Sequence, residues 1–366
     1  MRNKKNKKIR KSSGYVRKII IIFLILIPAR NRAKTLKIIA KIQINPKPIT
    51  QKENIMNRHK VISVDHGNRH IKTLNHVFAA SFMESGYLPN FDNTVLKYQG
   101  KEYILTDGNM PQKMNKTEDI SYFILTLFAI GKELKSSLID LSNPIEMELL
   151  AGLPPLHFRS LQSAYIDYFK NHGRSADFEL DGAPITIRIK DVHMYPQAYA
   201  ATFTIYEKVK DSYQVNIVDI GGFTVDCLQL TDFRPDMDFC DSIPFGVNML
   251  FDKINIKLRA KGERNISYSL IEKILRREGK ALNDCSHERL ELIRTTAESF
   301  TRELLSRLSH LGLDLNENRT VFIGGGSILL KTLIENSGMA MKPIIIDDIC
   351  ANVKGYRLLF DAARNS

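Results

Sequence analysis

The sequence predicts an α/β protein made of two related lobes with a ligand cleft between them. Three observations lead there. A strand–Asp-x-Gly–strand element occurs at Asp65 and returns at Asp219, 154 residues later. Short β-branched runs alternate along the chain with longer stretches of helix formers. Near the C-terminus a third strand opens directly on Gly324-Gly325-Gly326-Ser327.

Taken in order, Lys60–Val64 is a β-rich run leading into Asp65-His66-Gly67-Asn68. Val95–Thr106 reads as a hairpin with Gln99-Gly100 at its turn. Ile120–Leu138 has the length and apolar content of a buried helix, and Glu146–Leu150 reads as a strand. Leu156–His172 is expected to be helical, Ile185–Val192 a strand, and Gln197–Lys208 an amphipathic helix. Val215–Ile220 then repeats the opening pattern, running into Asp219-Ile220-Gly221-Gly222-Phe223-Thr224 and returning as Val225–Leu230. Helices are expected at Val247–Arg259, Ser269–Arg277 and His287–Leu311. Thr320–Ile323 and Ile344–Ile346 are the last strands, and Ala351–Ala363 is a closing helix. The expected organisation is a basic arm at 1–55, a first lobe at 56–214 with a hairpin insertion near 75–115, a second lobe at 215–350, and 351–366 returning to the first lobe.

The formal charge of +13 does not describe this patterned region. Residues 1–55 hold 16 Lys and Arg against the single acid Glu53, which leaves 37 basic and 39 acidic side chains in the remainder. A body with a balance of −2 is not a uniformly basic nucleic-acid-coating domain. Within the arm, the apolar run Ile19–Ile27 is too short to span a membrane, which takes about 20 residues. It resembles an export signal, but Arg30, Arg32 and Lys34 follow at once with no small-x-small cleavage site. A membrane or nucleic-acid tether is a second reading. The preferred one is a mis-assigned start, with the native chain beginning at Met56. Four cysteines without CxxC or Cys/His spacing argue against a disulfide framework or a zinc site and suit a reducing cytoplasm.

Three segments have the residue types that phosphate chemistry needs. Asp65-His66-Gly67 is followed seven residues later by Lys72: glycine lets backbone N–H groups approach phosphate, and lysine supplies a point charge. The same residues would also serve an ordinary strand-to-hairpin turn. Asp219-Ile220-Gly221-Gly222-Phe223-Thr224-Val225-Asp226 is more specific, because paired glycines between β-branched strands are unfavourable unless the backbone turns sharply or meets a ligand. Gly324-Gly325-Gly326 at a strand–helix junction offers bare backbone to a flat ligand face. Neither a GxGxxG fingerprint nor a GxxxxGK[ST] loop is present. Glu146 and Glu148 read as strand-end polar residues, and Arg276, Arg277 and Lys280 as a solvated helix face.

In order and spacing these segments resemble the actin/hexokinase/heat-shock chaperone ATPase superfamily, and within it the actin-like ParM/StbA plasmid-segregation family. The resemblance spans nearly all of Met56–Ser366 and implies the two-lobed actin-like (ribonuclease-H-like) ATPase fold with a nucleotide cleft between the lobes. It implies that Gly67, Asn68 and Lys72 form a first phosphate loop, and Gly221, Gly222 and Thr224 a second. Gly324, Gly325, Gly326 and Ser327 would form an adenosine loop. Asp65 and Asp219 would hold Mg²⁺ through its water shell. Tyr195-Pro196-Gln197-Ala198 is similar to the first connecting segment, which makes Gln197 the candidate for positioning the attacking water. Ala351-Asn352-Val353-Lys354-Gly355-Tyr356 is similar to the second connecting helix. His66, Arg69 and His70 depart from the small or hydroxyl residues usual in the first loop.

The function this resemblance implies is a cytoplasmic, filament-forming ATPase using ATP and Mg²⁺ for plasmid or phage DNA segregation. Its partners would be further copies of itself and a DNA-binding adaptor, with DNA engaged only indirectly and no membrane contact by the body. A small-molecule kinase, a chaperone-type ATPase and a nucleotide-binding scaffold without useful hydrolysis are the alternatives.

Overall fold

The computed structural model describes residues 59–85, 94–108, 115–137, 139–283 and 285–364. The basic arm, its apolar run and the expected start at Met56 lie outside the described residues.

In chain order the first part contains β1 (His59–His66), β2 (His70–Lys72), β3 (Val77–Ala79), β4 (Phe82–Glu84), β5 (Val95–Tyr98) and β6 (Lys101–Leu105). It continues with α1 (Ser121–Ser136), β7 (Ile145–Leu153), α2 (Pro155–Phe169), β8 (Ala176–Leu180) and β9 (Ala183–Pro196). The short helices α3 (Tyr199–Thr202) and α4 (Tyr206–Val209) flank a 3₁₀ turn at Phe203–Ile205. The second part contains β10 (Gln214–Ile220), β11 (Val225–Thr231), β12 (Arg234–Ile243), α5 (Val247–Ala260), α6 (Tyr268–Leu275), α7 (Lys280–Asn283) and α8 (His287–His310). It ends with β13 (Arg319–Ile323), α9 (Gly324–Leu329), α10 (Lys331–Glu335), β14 (Ile344–Ile345) and α11 (Ala351–Arg364).

Among the described residues these strands form two sheets. The nine-stranded sheet runs β3-β2-β1-β7-β9-β8-β5-β6-β4, and the five-stranded sheet runs β12-β11-β10-β13-β14. At the centre of the first, β1, β7 and β9 are parallel. Strand β7 is apolar and buried from Leu149 to Leu153, as a parallel strand covered on both faces must be. Helix α1 is buried from Tyr122 to Gly131, which explains why its sequence is apolar almost all round. At the centre of the second sheet, β10 pairs antiparallel with β11 and parallel with β13.

Among the described residues the buried apolar side chains form three clusters. One lies within each lobe, around Phe128 and Phe169 in the first and around Phe251 and Phe300 in the second. The third joins the lobes, bringing Leu150 and Tyr195 together with Val215, Ile217, Val321 and Tyr356. Tyr195 and Tyr356 stack with ring centroids 5.6 Å apart.

The structure adds short elements that the sequence reading did not name, such as β8, and two further differences have a clear physical cause. The expected amphipathic helix Gln197–Lys208 forms only in short pieces, α3, the 3₁₀ turn and α4, and it starts after Gln197. The chain makes a tight turn at Ala198, where φ is 59° and ψ is −56°, and the N–H of Tyr199 donates to the carbonyl of Gln197. That is a γ-turn, a strained conformation for a residue with a side chain. Tyr199–Thr202 are all buried, so no polar helix face exists there. The second difference is β12, whose Arg-Pro-Asp opening carries no apolar alternation. It forms because it occupies a sheet edge, where proline and polar residues are tolerated.

Candidate functional site

The two hairpins anticipated from sequence, β1–β2 and β10–β11, end on opposite sides of one cleft. This cavity of about 400 Å³ is within the range of small-molecule sites. The lining includes Asp65, Gly67, Asn68, Lys72, Gln197, Asp219, Gly221, Gly222, Thr224, Gly324, Gly325 and Gly326. Of the predicted site residues only Ser327 is elsewhere. It is fully buried, and its hydroxyl donates to the Ile323 carbonyl, which ties the start of α9 to the end of β13.

Asp65 closes β1 directly opposite Lys72. The Lys72 ammonium donates to Asp65 Oδ2 at 3.1 Å, and Gln197 Nε2 donates to Asp65 Oδ1 at 2.7 Å. Burial works against the charge on Lys72, but the Asp65 and Asp219 carboxylates hold it above the ordinary lysine value. Gln197 is delivered by the γ-turn. Its own N–H donates to Leu153, and Asn352 Oδ1 accepts from the N–H of Ala198 at 2.9 Å.

Asp219 closes β10 directly opposite Asp226 of β11. Burial first, then the Asp226 charge, push the Asp219 carboxyl up to about 7, with Lys72 and a hydrogen bond from Asn352 opposing them. Asp226 is raised chiefly by burial, and the Ser242 and Thr224 side chains and the Lys116 charge work against the shift. Among the described residues no group of three His, Cys, Asp or Glu side chains is arranged to cage a metal directly. Two or three carboxylates opening on a shared cavity instead suit an ion that keeps most of its water shell, as Mg²⁺ does.

The glycines act for different reasons. Gly221, Gly222 and Phe223 present their carbonyls to the first N–H groups at the start of α5, which anchors the second loop. Gly222 also leaves space for the Arg69 side chain, whose Cδ would stand 2.7 Å from an added Cβ. Gly324 has φ +88°, and a side chain there would collide with Asp219 Oδ1. Gly326 abuts Ile220, whereas Gly325 has nothing near the Cβ position and presents bare backbone.

Several lining residues were not among the predicted site residues. Arg69 crosses the cleft mouth to Glu272 on α6, with Nη1 2.6 Å from Oε1. Arg276, read as part of a solvated face, lines the cleft. Asn352 and Lys116 also line it. His66, in contrast, turns inward. Its ring stacks on Phe169 at 4.7 Å and shares a hydrogen bond with Thr126 at 2.8 Å. Burial, reinforced by the Lys116 charge, lowers it to about 3, so the ring is neutral and belongs to the core. Glu146 and Glu148 pair away from the cleft, with Lys190 and His193 respectively.

Residues 217–336, which run from β10 past α10, match the family model of the archaeal actin homologue MreB-like C-terminal domain. No curated protein matches the chain in sequence. Among solved structures it is similar to Ta0583, an archaeal actin homologue, with a TM-score of 0.65 and 18% identity over 84% of this chain and 100% of that one. It is similar to the apo psk41 ParM protein with a TM-score of 0.62 and 16% identity, covering 84% of this chain and 99% of that one. The same coverage, identity and TM-score hold for ParM in a 15-stranded filament from Clostridium botulinum. The chain therefore has the two-lobed actin-like fold, with the architecture of ParM-type proteins and a second lobe that matches the MreB-like C-terminal family.

Proposed function

We propose that the protein binds ATP with Mg²⁺ in the cleft, transfers the terminal phosphoryl group to water, and couples that reaction to filament assembly. The observation that carries this reading is the convergence of Asp65, Lys72, Gln197 and Asp219 from three chain segments on one cleft with a bare-glycine wall. A bound Mg²⁺ would neutralise phosphate charge from the water-mediated hold of Asp65 and Asp219. Lys72 and the loops around Gly67, Asn68, Gly221, Gly222 and Thr224 would cradle the phosphates. Gly324, Gly325 and Gly326 would bear the adenosine. Gln197, hydrogen-bonded to Asp65, would orient the attacking water. Water adds to the terminal phosphorus, the bond to the bridging oxygen breaks, and ADP and inorganic phosphate result. Positioning and electrostatics supply the rate enhancement, without a covalent intermediate.

Related structures support the coupling to assembly. The Clostridium botulinum ParM and Alp12 are filaments, and the archaeal homologue has been solved with ADP. The cellular role we infer is plasmid or phage DNA segregation through a DNA-binding adaptor. A body with 37 basic and 39 acidic side chains has no excess of positive charge for direct DNA binding. Among the described residues, no helix is long and apolar enough to cross a membrane.

The test is sedimentation and light scattering with Mg²⁺ and ATP, ADP or a slowly hydrolysed analogue, alongside phosphate release. Assembly should require the triphosphate, persist with the analogue and decay with ATP as phosphate appears. Phosphate release without sedimentation at high protein concentration would favour a non-filament ATPase. Sedimentation without release would favour a scaffold.

A further inference from the structure

Lys116 stands in the same cleft but has no part in the hydrolytic arrangement above. The segment that carries it is pinned to the first lobe. The Lys116 N–H donates to the Tyr165 hydroxyl at 3.0 Å, and Asn115 Oδ1 accepts from the N–H of Thr117 at 3.0 Å and from its hydroxyl at 2.7 Å. The side chain therefore enters the cleft wall from a fixed base. Its ammonium donates to the carbonyl of His66 and lies 4.9 Å from the centroid of the Tyr122 ring.

Neither of those contacts bears a formal negative charge. By comparison, Lys72 bonds Asp65 and Arg69 bonds Glu272. Enclosing an ammonium without a bonded counter-charge is unfavourable, and burial draws Lys116 down to about 8, leaving it mostly protonated at neutral pH. The charges that act on it through space are Asp65, Lys72 and Asp226, which belong to the hairpins of both lobes. An anion arriving between those hairpins would supply the bonded counter-charge that Lys116 lacks among the described residues.

We propose that Lys116 is a second phosphate-binding cation of the cleft, which takes the terminal phosphate and so distinguishes a nucleoside triphosphate from a diphosphate. This rests on the reading of the cleft as a nucleotide site. Lys72, already bonded to Asp65, would serve the inner phosphates, and Lys116 the outermost one.

The test compares the full chain with Lys116→Met and Lys116→Gln, titrating Mg²⁺ complexes of ADP and of the non-hydrolysable imido analogue of ATP by calorimetry. Lys116→Met removes charge and hydrogen bond together. Lys116→Gln can keep a donor for the His66 carbonyl without the charge, so it carries the test if the Met variant fails to fold. Both variants should bind the triphosphate analogue about 10- to 100-fold more weakly, the range expected for a charged hydrogen bond, with ADP affinity unchanged. Equal losses for the two nucleotides, or no loss for either, would overturn the assignment while leaving the nucleotide site intact. Failure of the unsubstituted chain to bind either nucleotide would overturn the reading of the cleft, and this inference with it.

Discussion

Asp65 and Asp219 close hairpins of the same form, yet their cross-strand neighbours differ in charge: Lys72 faces the first and Asp226 the second. One carboxylate is neutralised within its own hairpin, and the other confronts a like charge. The motif Asp-x-Gly-Gly-x-Thr-x-Asp shows both acids, but only the register β10–β11 places them side by side. A consequence follows for stability. Asp219 is raised from 3.8 to about 7 in the fold, so between those values the folded protein holds a proton that the unfolded chain has released. The stability that this proton contributes is complete below the unfolded value and is lost as pH rises through the folded one. In the absence of Mg²⁺ and nucleotide, Asp219→Asn should therefore melt above the unsubstituted protein at about pH 8, with the gap closing as pH falls below about 4. Thermal unfolding at the two pH values measures this, and a lower melting point for the variant at the higher pH would contradict it.

Among the elements, the hairpin at Val95–Thr106 was plain from sequence. Gln99 and Gly100 both take positive φ, 52° and 75°, as a two-residue turn matched to strand twist requires. The segment after β9 was not, because Pro196-Gln197-Ala198 has ordinary helix-start composition. Its γ-turn is imposed from a distance by Asn352 at the start of α11, which accepts from Ala198 and also hydrogen-bonds to Asp219. Helix α11 can approach so closely because Gly355 lies against the Ala200 carbonyl, where a Cβ would collide with backbone. Gly355→Ala should cost about 1–3 kcal/mol or more in stability, since backbone cannot yield as a side chain can. Chemical denaturation reads that loss directly, and a neutral result would mean that α3 and α11 can part freely.

Across the whole molecule, the lobes are joined both by the shared core around Tyr195 and Tyr356 and by one ion pair at the cleft mouth. Arg69 and Glu272 are each less than a quarter exposed, at 17% and 22%, so solvent screens their pair less than a surface bridge. The Arg69 guanidinium also lies 5.6 Å from the centroid of the Phe251 ring. Both residues of this clasp line the cleft that we propose takes a nucleotide. Arg69→Ala and Glu272→Gln should each speed release of a fluorescent ADP by roughly tenfold, in line with a charged hydrogen bond in a partly enclosed site. Stopped-flow displacement measures the rate, and an unchanged rate in both variants would show that the clasp does not gate the cleft.

Sequence by itself determined the two strand–Asp–turn hairpins, the glycine-rich strand–helix junction and the confinement of the net positive charge to residues 1–55. These are short-range signals: strand propensity, turn chemistry and local charge are each written in a handful of adjacent residues. Tertiary structure alone decided which distant residues pair with one another in the site. Arg69 meets Glu272 across 203 residues, Gln197 meets Asp65 across 132, and Asn352 meets Ala198 across 154. No periodicity encodes such pairings, and the same holds for His66 turning into the core and Lys116 into the cleft. Each depends on how two sheets pack around a shared core, which only the assembled chain specifies.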